Sequence, residues 1–574
     1  SNLWAQHMVE TLRTDVLVIG GGAAGANAAL CAGRSGARVT LLVKGLLGKS
    51  GCSIFASHVP FHDASTEQRG KDRLRYSVRY YNHYLTDQDH VRRMGAYMRT
   101  EFYDELERLG VYWRRTADGR LLASDNRVPI MVAHKQGASG IVIMDRRRRQ
   151  ILGSGIPVYE ECAATSLLQD ESGRVVGVIV LDSKDGRIFA ILAKAVVLAT
   201  GHSDYLASRS TATREQSADG IAMALRAGAE VANLEIQWWH ISDMLKPRTW
   251  MRMHLYPNPL LGTKETSRLY NGDGDVFFEQ ATHNPGSSAP YVDQIRRLSR
   301  EVENGKANWD GGFYSGYDHI PADVIHAYQR QSKIWRKLGL DVQHDRLECG
   351  ITWHMRQGGV NVEPDTMRTS VEGLYAAGGI GAHYLGGLGP VSYDGKIAGI
   401  AAADEARGRP EPAVPKAALA AEENRLLSFL RVGGDGPRPI TLKLKIRDVL
   451  WRLGYVKNAR KLEVALDELL ALREDLPRLR LESASRRWNT GWGDALDAVS
   501  MLDACEATVR SAQLRKESRG PFYREDYPFV DNENWLCRLV LRRVGEDWEH
   551  SIQPIATPYL PPENAREPFF ETDY

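Results

Sequence analysis

Short β-branched runs that end in glycine turns punctuate this chain. Val16-Leu17-Val18-Ile19 is continuously apolar, the pattern of a strand buried on both faces of a parallel sheet, and it runs into Gly20-Gly21-Gly22-Ala23-Ala24-Gly25. An alanine-rich stretch through Ala29, Leu30 and Ala32 then reads as a helix, and Val39 to Val43 as a second strand. The strand-to-glycine pattern returns at Val196-Val197-Leu198-Ala199-Thr200-Gly201 and at Leu374-Tyr375-Ala376-Ala377-Gly378-Gly379. Farther on the period changes. Leu462, Leu466, Leu469 and Leu470 recur at helical spacing, as do Leu496, Val499, Leu502, Cys505, Val509 and Ala512, which predicts the core stripes of a helical bundle. Arg409 to Pro412 and Gly433 to Pro437 read as linkers before that change. Past Trp535 the chain is dotted with Pro554, Pro558, Pro561, Pro562 and Pro568 and reads as an extended arm.

Strand, glycine turn and helix in that order carry a chemistry. Gly20 permits a tight turn, Gly22 lets backbone approach a pyrophosphate, and Gly25 allows close packing of helix on strand. Behind them, at Ala23 and Ala24, the helix opens with unpaired N–H donors and a positive dipole end that favour phosphate. The acid that would accept ribose hydroxyls at the end of the second strand is missing, because Val43-Lys44 occupies that place. Three separated turns suggest one long dinucleotide wrapped by a discontinuous domain, and FAD has that length.

Composition narrows the class. At 574 residues the chain is too long for one core, and about four domains are expected from length alone. Lys and Arg total 74 against 72 Asp and Glu, a net charge of +2, which gives no reason to expect nucleic-acid or membrane-surface binding. The six cysteines are scattered without a CxxC pair, so neither a zinc site nor an iron–sulfur cluster is expected within the chain. Such thiols suit a reducing compartment. With no apolar run long enough to span a bilayer, a cytoplasmic protein is expected. The charge run Arg146 to Arg149 reads as a solvated helix face, and Ser1 to His7, before Met8, as a tag remnant.

Three further blocks complete a pattern. Lys44 to Ser53 reads KGLLGKSGCS, Ser217 to Gly228 reads SADGIAMALRAG, and the chain later carries Arg515-Lys516-Glu517-Ser518-Arg519-Gly520 and Arg524-Glu525-Asp526-Tyr527-Pro528. In this order, over roughly Asp15 to Trp535, the chain resembles the flavoprotein family of succinate dehydrogenase, fumarate reductase, L-aspartate oxidase and the adenylylsulfate reductase alpha subunit. The resemblance implies an α/β fold: a Rossmann-like FAD-binding domain interrupted by an α+β capping domain and followed by a C-terminal helical domain. The expected boundaries are 8–234 and 346–408 for the two parts of the FAD domain, 235–345 for the cap, 409–545 for the helical domain and 546–574 for an extended tail. The cofactor would lie against Gly20, Gly22, Ala23, Ala24, Gly25, Lys44, Lys49, Ser50, Gly51, Cys52, Ala199, Thr200, Gly201, Asp219, Gly378, Gly379, Ser392 and Tyr393. His240 and His354 match the family's substrate histidines. Glu265 and Arg296 match its proton-relay glutamate and arginine, with Arg296 given an electrostatic role first because a free guanidinium is a poor base.

The departures from the family bear on substrate. Gly51 stands where succinate dehydrogenases place the histidine that bonds the flavin, so FAD is expected to be non-covalent. Gly379 replaces an acid that often follows the third turn. Gly386-Gly387-Leu388-Gly389-Pro390 replaces the segment whose arginine clamps a second carboxylate, which argues against dicarboxylates, and His383 and Tyr384 beside it would present other polar groups. The expected function is hydride transfer between flavin N5 and a small polar or anionic organic substrate, with no metal involved. The alternative is a flavoprotein subunit that works with a separate ferredoxin-like iron–sulfur subunit on a sulfur compound. Oligomeric state is left open.

Overall fold

The apolar run that begins the chain forms the middle of a seven-stranded sheet. In a computed structural model, residues 9–56, 74–113, 115–119, 123–124, 128–129, 139–246, 248–249, 267–279, 291–327, 329–341, 343–382 and 386–572 are described. The strand Glu10–Ile19 pairs in parallel with Val39–Val43 on one side and Ile188–Leu198 on the other. Val16, Leu17 and Val18 are wholly buried between them, which is why the run has no polar face. Val158–Glu160 extends one edge, and Val175–Asp182 and Cys162–Gln169 extend the other as an antiparallel ribbon. Leu374–Ala376 pairs with the last residues of Ile188–Leu198, Ala376 opposite Leu198. Ile19 also lies opposite Leu198. All three glycine turns therefore leave the sheet side by side at the carboxyl ends of parallel strands, the usual place for a ligand crevice.

Between the second and third turns the chain builds a second, six-stranded sheet that is antiparallel throughout. Its order is Arg248–Thr249, Gln237–Leu245, Leu347–Arg356, Phe313–Gly316, Arg268–Tyr270 and Val276–Phe278. The helix Tyr291–Glu303 packs across it with Ile295 and Leu298 buried. The expected boundary at 345/346 needs correction, because Leu347–Arg356 bonds to strands on both sides within this inserted sheet. Alternation alone could not assign that strand to a sheet.

The helical stripes fall where the pattern places them, on Ala459–Arg473 and Thr490–Leu514. Leu462 and Leu469 are buried on the first, whereas Leu470 is 38% exposed, so that stripe is narrower than expected. Thr490–Leu514 carries Leu502, Cys505, Val509 and Ala512 inside and is buried on most sides, with Pro439–Leu453 and Ala459–Arg473 against it. The boundary at 545/546 also needs correction. Cys537–Val544 and Asp547–Pro554 form a hairpin that pairs through Val540 and Leu541 with Val231–Ala232, so the arm begins only after residue 554. The run at Arg146–Arg149 is not simply a solvated face. Arg147 is 2% exposed and forks onto Glu105 at 2.8 and 3.0 Å, while Arg148 bonds Glu160 and Arg149 bonds Asp145 at 3.0 Å. All six cysteines are free thiols. No helix among the described residues is long and apolar enough to cross a membrane.

One cluster of buried charge ties these layers together. Arg515, just past the end of Thr490–Leu514, donates to Glu235, to Asn233 Oδ1 at 3.0 Å and to Glu517 at 2.8 Å. Arg519 closes a two-bond fork on Glu517 at 2.9 and 3.0 Å, and Ser511 donates to Glu235. Glu235, Arg515 and Glu517 have wholly buried side chains, so each relies on the others for its partners. Removing one member leaves a buried, uncompensated charge. Glu235→Ala is therefore expected to cost about 3–5 kcal/mol and to lower the thermal unfolding midpoint by several degrees; an unchanged midpoint would show that the cluster does not hold these layers.

Candidate active site and cofactor cradle

The three turns enclose a crevice whose walls are backbone. Gly20 has φ +119°, and a Cβ there would stand 2.1 Å from the Ala199 carbonyl oxygen. A Cβ on Gly25 would stand 1.8 Å from the Gly20 oxygen, so first turn, second turn and helix close up only with glycine at both places. The helix Ala23–Arg34 opens from Gly22 with no acidic residue in its first turn, and Ser53 Oγ accepts from Ala23 N at 3.1 Å. Its positive end is thus available to an anion. Around the crevice, Thr200 Oγ1 and Gln216 Oε1 are buried polar atoms without a hydrogen-bond partner. A backbone cradle, a helix dipole and unmatched donors and acceptors together fit the phosphates and hydroxyls of a dinucleotide such as FAD.

Several expected cofactor residues have other partners in the fold. Lys44, at the end of the second strand, donates to Ser217 Oγ at 2.7 Å, Asp219 Oδ2 at 2.5 Å and Asp497 Oδ1 at 2.6 Å. Burial opposes its charge, but the two carboxylates outweigh it and hold the ammonium well above its ordinary pKa. Asp497 also bonds Lys443 at 2.7 Å; burial pushes its carboxyl up, yet the two lysines pull it down to about 2. The effect is to bring Asp219 beside the end of the second strand, which itself carries no acid. Lys49 lies 3.3 Å from Asp145, and the Ser50 hydroxyl accepts from Leu46 N at 3.1 Å and donates to Leu46 O at 2.9 Å, closing its own turn. Gly51 has φ +76° with open space around it, and Cys52 beside it is half-buried. Ser392 Oγ bonds its own helix at Leu388 O, while Tyr393 packs into rings of His90 and Tyr97. Ser392 and Tyr393 both lie on the helix Leu388–Arg407 and have these internal partners.

His202 is a crevice residue that the motifs did not indicate. Its ring sits 2.6 Å from where a Cβ on Gly379 would be, so the residue after the third turn has to be glycine for the imidazole to fit. Burial pushes the imidazole down to about 4, which keeps it neutral near pH 7. The signal was present in the sequence as a pair: an unusual ring after Thr200-Gly201 and an unusual glycine at 379.

On the second sheet the structure brings two expected residues together. Strands Gln237–Leu245 and Leu347–Arg356 are adjacent, with His240 opposite Thr352. The His240 and His354 ring centres lie 4.4 Å apart. Trp239, one position away and so on the other face, packs edge-on to Trp353 at 5.5 Å and near Trp451 at 5.9 Å. This aromatic layer fixes the pitch of both strands. Thr211 Oγ1 lies 2.6 Å from His354 Nδ1. Tyr81, which sequence reasoning missed, joins the same region. Its hydroxyl is 3.6 Å from Met355 Sδ, and a Cβ on Gly386 would fall 1.7 Å from it. A side chain at the first glycine of the altered segment would therefore collide with Tyr81. Glu265, His383 and Tyr384 lie outside the described residues.

Arg296 is engaged by the arm and by its own helix. Its Nη1 donates to the carbonyls of Phe569, at 3.0 Å, and Thr572, at 2.5 Å, and its Nη2 bonds Asp293 at 2.6 Å. Arg296 as a whole is 5% exposed. These bonds use Arg296 to hold residues 569–572 against the helix Tyr291–Glu303. Phe569 stacks on Tyr523 at 5.0 Å, and Arg300 lies 4.7 Å over Phe570, so the arm is gripped from both sides.

Comparison with known proteins agrees with this layout. The family model described as FAD binding domain matches residues 15–391, and that described as fumarate reductase flavoprotein C-term matches 444–567. The fumarate reductase flavoprotein subunit of Mycobacterium tuberculosis is 27% identical over 576 residues, covering 93% of this chain and 96% of that one. L-Aspartate oxidase of Streptomyces coelicolor is 27% identical over 577 residues, covering 96% and 95%. Among solved structures, Mycobacterium smegmatis Sdh1 in complex with UQ1 superposes with a TM-score of 0.82 at 26% identity over 96% of each chain.

Arg296→Gln removes charge-assisted bonds to two buried carbonyls, a loss of about 2–3 kcal/mol. Amide hydrogen exchange over residues 566–572 is expected to quicken on the order of 10- to 100-fold. Unchanged protection there would separate Arg296 from the arm.

Proposed function

Because this chain belongs to the succinate dehydrogenase and fumarate reductase family of FAD-dependent oxidoreductases, we propose that its substrate is a small polar or anionic organic compound that is neither succinate nor fumarate. The observation that supports this is the glycine-rich segment Gly386–Pro390, which offers no arginine to clamp a second carboxylate and has the Tyr81 hydroxyl lying against Gly386. A dicarboxylate would then have one carboxylate without a bidentate partner, and a buried, unpaired carboxylate is costly. The histidine pair His240 and His354 supports binding of one polar end. Both imidazoles can donate or accept a hydrogen bond, and in the protonated form either would steady negative charge that develops on a substrate carbonyl. When bound in the crevice, FAD supplies two-electron chemistry at flavin N5, as acceptor or donor of a hydride. Gly51 offers no side chain to which it could be tethered, so the cofactor is held without a covalent bond.

A second reading has support of its own. The chain spans 96% of the length of a relative whose name is that of a flavoprotein subunit. On that reading electrons pass between the flavin and a separate ferredoxin-like iron–sulfur subunit, and the substrate is a sulfur compound.

An anaerobic flavin-bleaching screen tests both. Succinate and fumarate are expected to leave the flavin unchanged, while a monocarboxylate, hydroxyl- or amino-bearing compound bleaches or reoxidises it. His354→Ala is expected to weaken that compound's binding about tenfold or more, and acid precipitation to leave FAD in the supernatant. Rapid bleaching by succinate, or flavin retained in the pellet, would contradict the proposal. Fast reoxidation of the reduced protein by air alone would count against the second reading.

A further inference from the structure

The loop after the second glycine turn ends in a short ladder against the histidine strand. Trp353 N donates to Arg209 O at 3.1 Å, Thr211 N donates to Trp353 O at 2.9 Å, and Ser210 bridges Trp353 in parallel. Arg209 forks onto Asp310 from its other side. Thr211 is thereby fixed, 7% exposed, with its hydroxyl oxygen 2.6 Å from His354 Nδ1 and 3.1 Å from the His354 carbonyl oxygen.

That hydroxyl has one proton to give and two neighbours to satisfy. The carbonyl oxygen can only accept. If the hydroxyl donates to it, the hydroxyl oxygen is left to accept, and Nδ1 must bear the proton that it accepts. If Nδ1 were bare, a single proton would have to serve two acceptors, and one of the two short contacts would set lone pair against lone pair. Only the first arrangement turns both contacts into hydrogen bonds. We infer that Thr211 is a positioning residue that keeps the neutral His354 imidazole protonated on Nδ1, so that Nε2 meets the substrate as an acceptor and favours compounds that carry a hydroxyl or amino group. The substrate half of this inference rests on the proposed function, in which His354 lines the substrate site; the tautomer half does not.

The two halves separate experimentally. In FAD-loaded protein with ¹⁵N-labelled histidine, assigned by loss of signal in His354→Gln and measured alkaline to the histidine titration, the His354 Nδ1 resonance is expected in the protonated range and Nε2 in the bare range. Thr211→Val should mix in the other tautomer, and Thr211→Ser should restore the wild-type pattern. Both variants should retain FAD and its visible spectrum. For a hydroxyl- or amino-bearing substrate, Thr211→Val should raise KM about tenfold with kcat changed less than about threefold, while Thr211→Ser stays within about twofold of wild type. A wild-type imidazole protonated on Nε2, or a tautomer unaffected by Thr211→Val, would overturn the inference. The expected tautomer combined with an unchanged KM would overturn its substrate half and, with it, the placement of His354 in the substrate site.

Discussion

Four charged side chains that water does not reach set the terms for the rest of this molecule. Glu235, Arg515, Glu517 and Arg519 satisfy one another and the backbone around them. Buried ion pairs of this kind add little net stability over a hydrophobic replacement, but a mismatched arrangement leaves bare charge and is strongly disfavoured. The cluster therefore acts on specificity of arrangement. Glu235 stands two residues before the strand Gln237–Leu245. Its hold on Arg515 sets where that strand starts, and because side chains alternate, a slip of one residue would exchange the faces of Trp239 and His240. The tryptophan layer on one side and the histidine pair on the other thus depend on a bond to the end of a helix 280 residues away.

From there the two halves of the site share one loop. Its first residues, Ala199 to His202, wall the dinucleotide crevice, with Thr200 Oγ1 unmatched and His202 fitted against Gly379. Its later residues, Arg209 to Thr211, lie along the histidine strand and engage His354. Between them Asp204 is wholly buried, accepting from Trp353 Nε1 and from Arg356 N, which ties the middle of the loop to the same strand. The crevice and the strand that carries His354 are thus joined by about ten residues of chain, held to that strand through Asp204 and Thr211.

What could be read from the sequence follows from the range of the forces involved. Gly20, Gly22 and Gly25 were legible because turn sterics are local, and the helical stripes were legible because periodicity is local. The absence of an arginine from Gly386–Pro390 was legible in the sequence, but not that Tyr81 lies against Gly386, since 305 positions separate the two. The partners of Lys44 were hidden for the same reason, with Asp497 lying 453 residues on. The partners of Arg296 were legible only in part: Asp293 stands three residues away, whereas the carbonyls of Phe569 and Thr572 lie 273 and 276 residues on. His202 lay between these extremes: its ring and the glycine at 379 were each visible, and only their pairing was not. The strand Leu347–Arg356 was not singled out in the sequence, and the sheet it joins is set by hydrogen bonds that composition does not encode.

The most direct measurement is a crystal structure of the FAD-loaded protein with a reacting compound, or a close unreactive analogue, bound. The arrangement predicts that the ligand's polar end lies within hydrogen-bond distance of both His240 and His354, with Tyr81 beside it and Arg296 still holding the Phe569 and Thr572 carbonyls. A ligand held by a pair of arginines, or Arg296 released from the arm and turned onto the ligand, would contradict it.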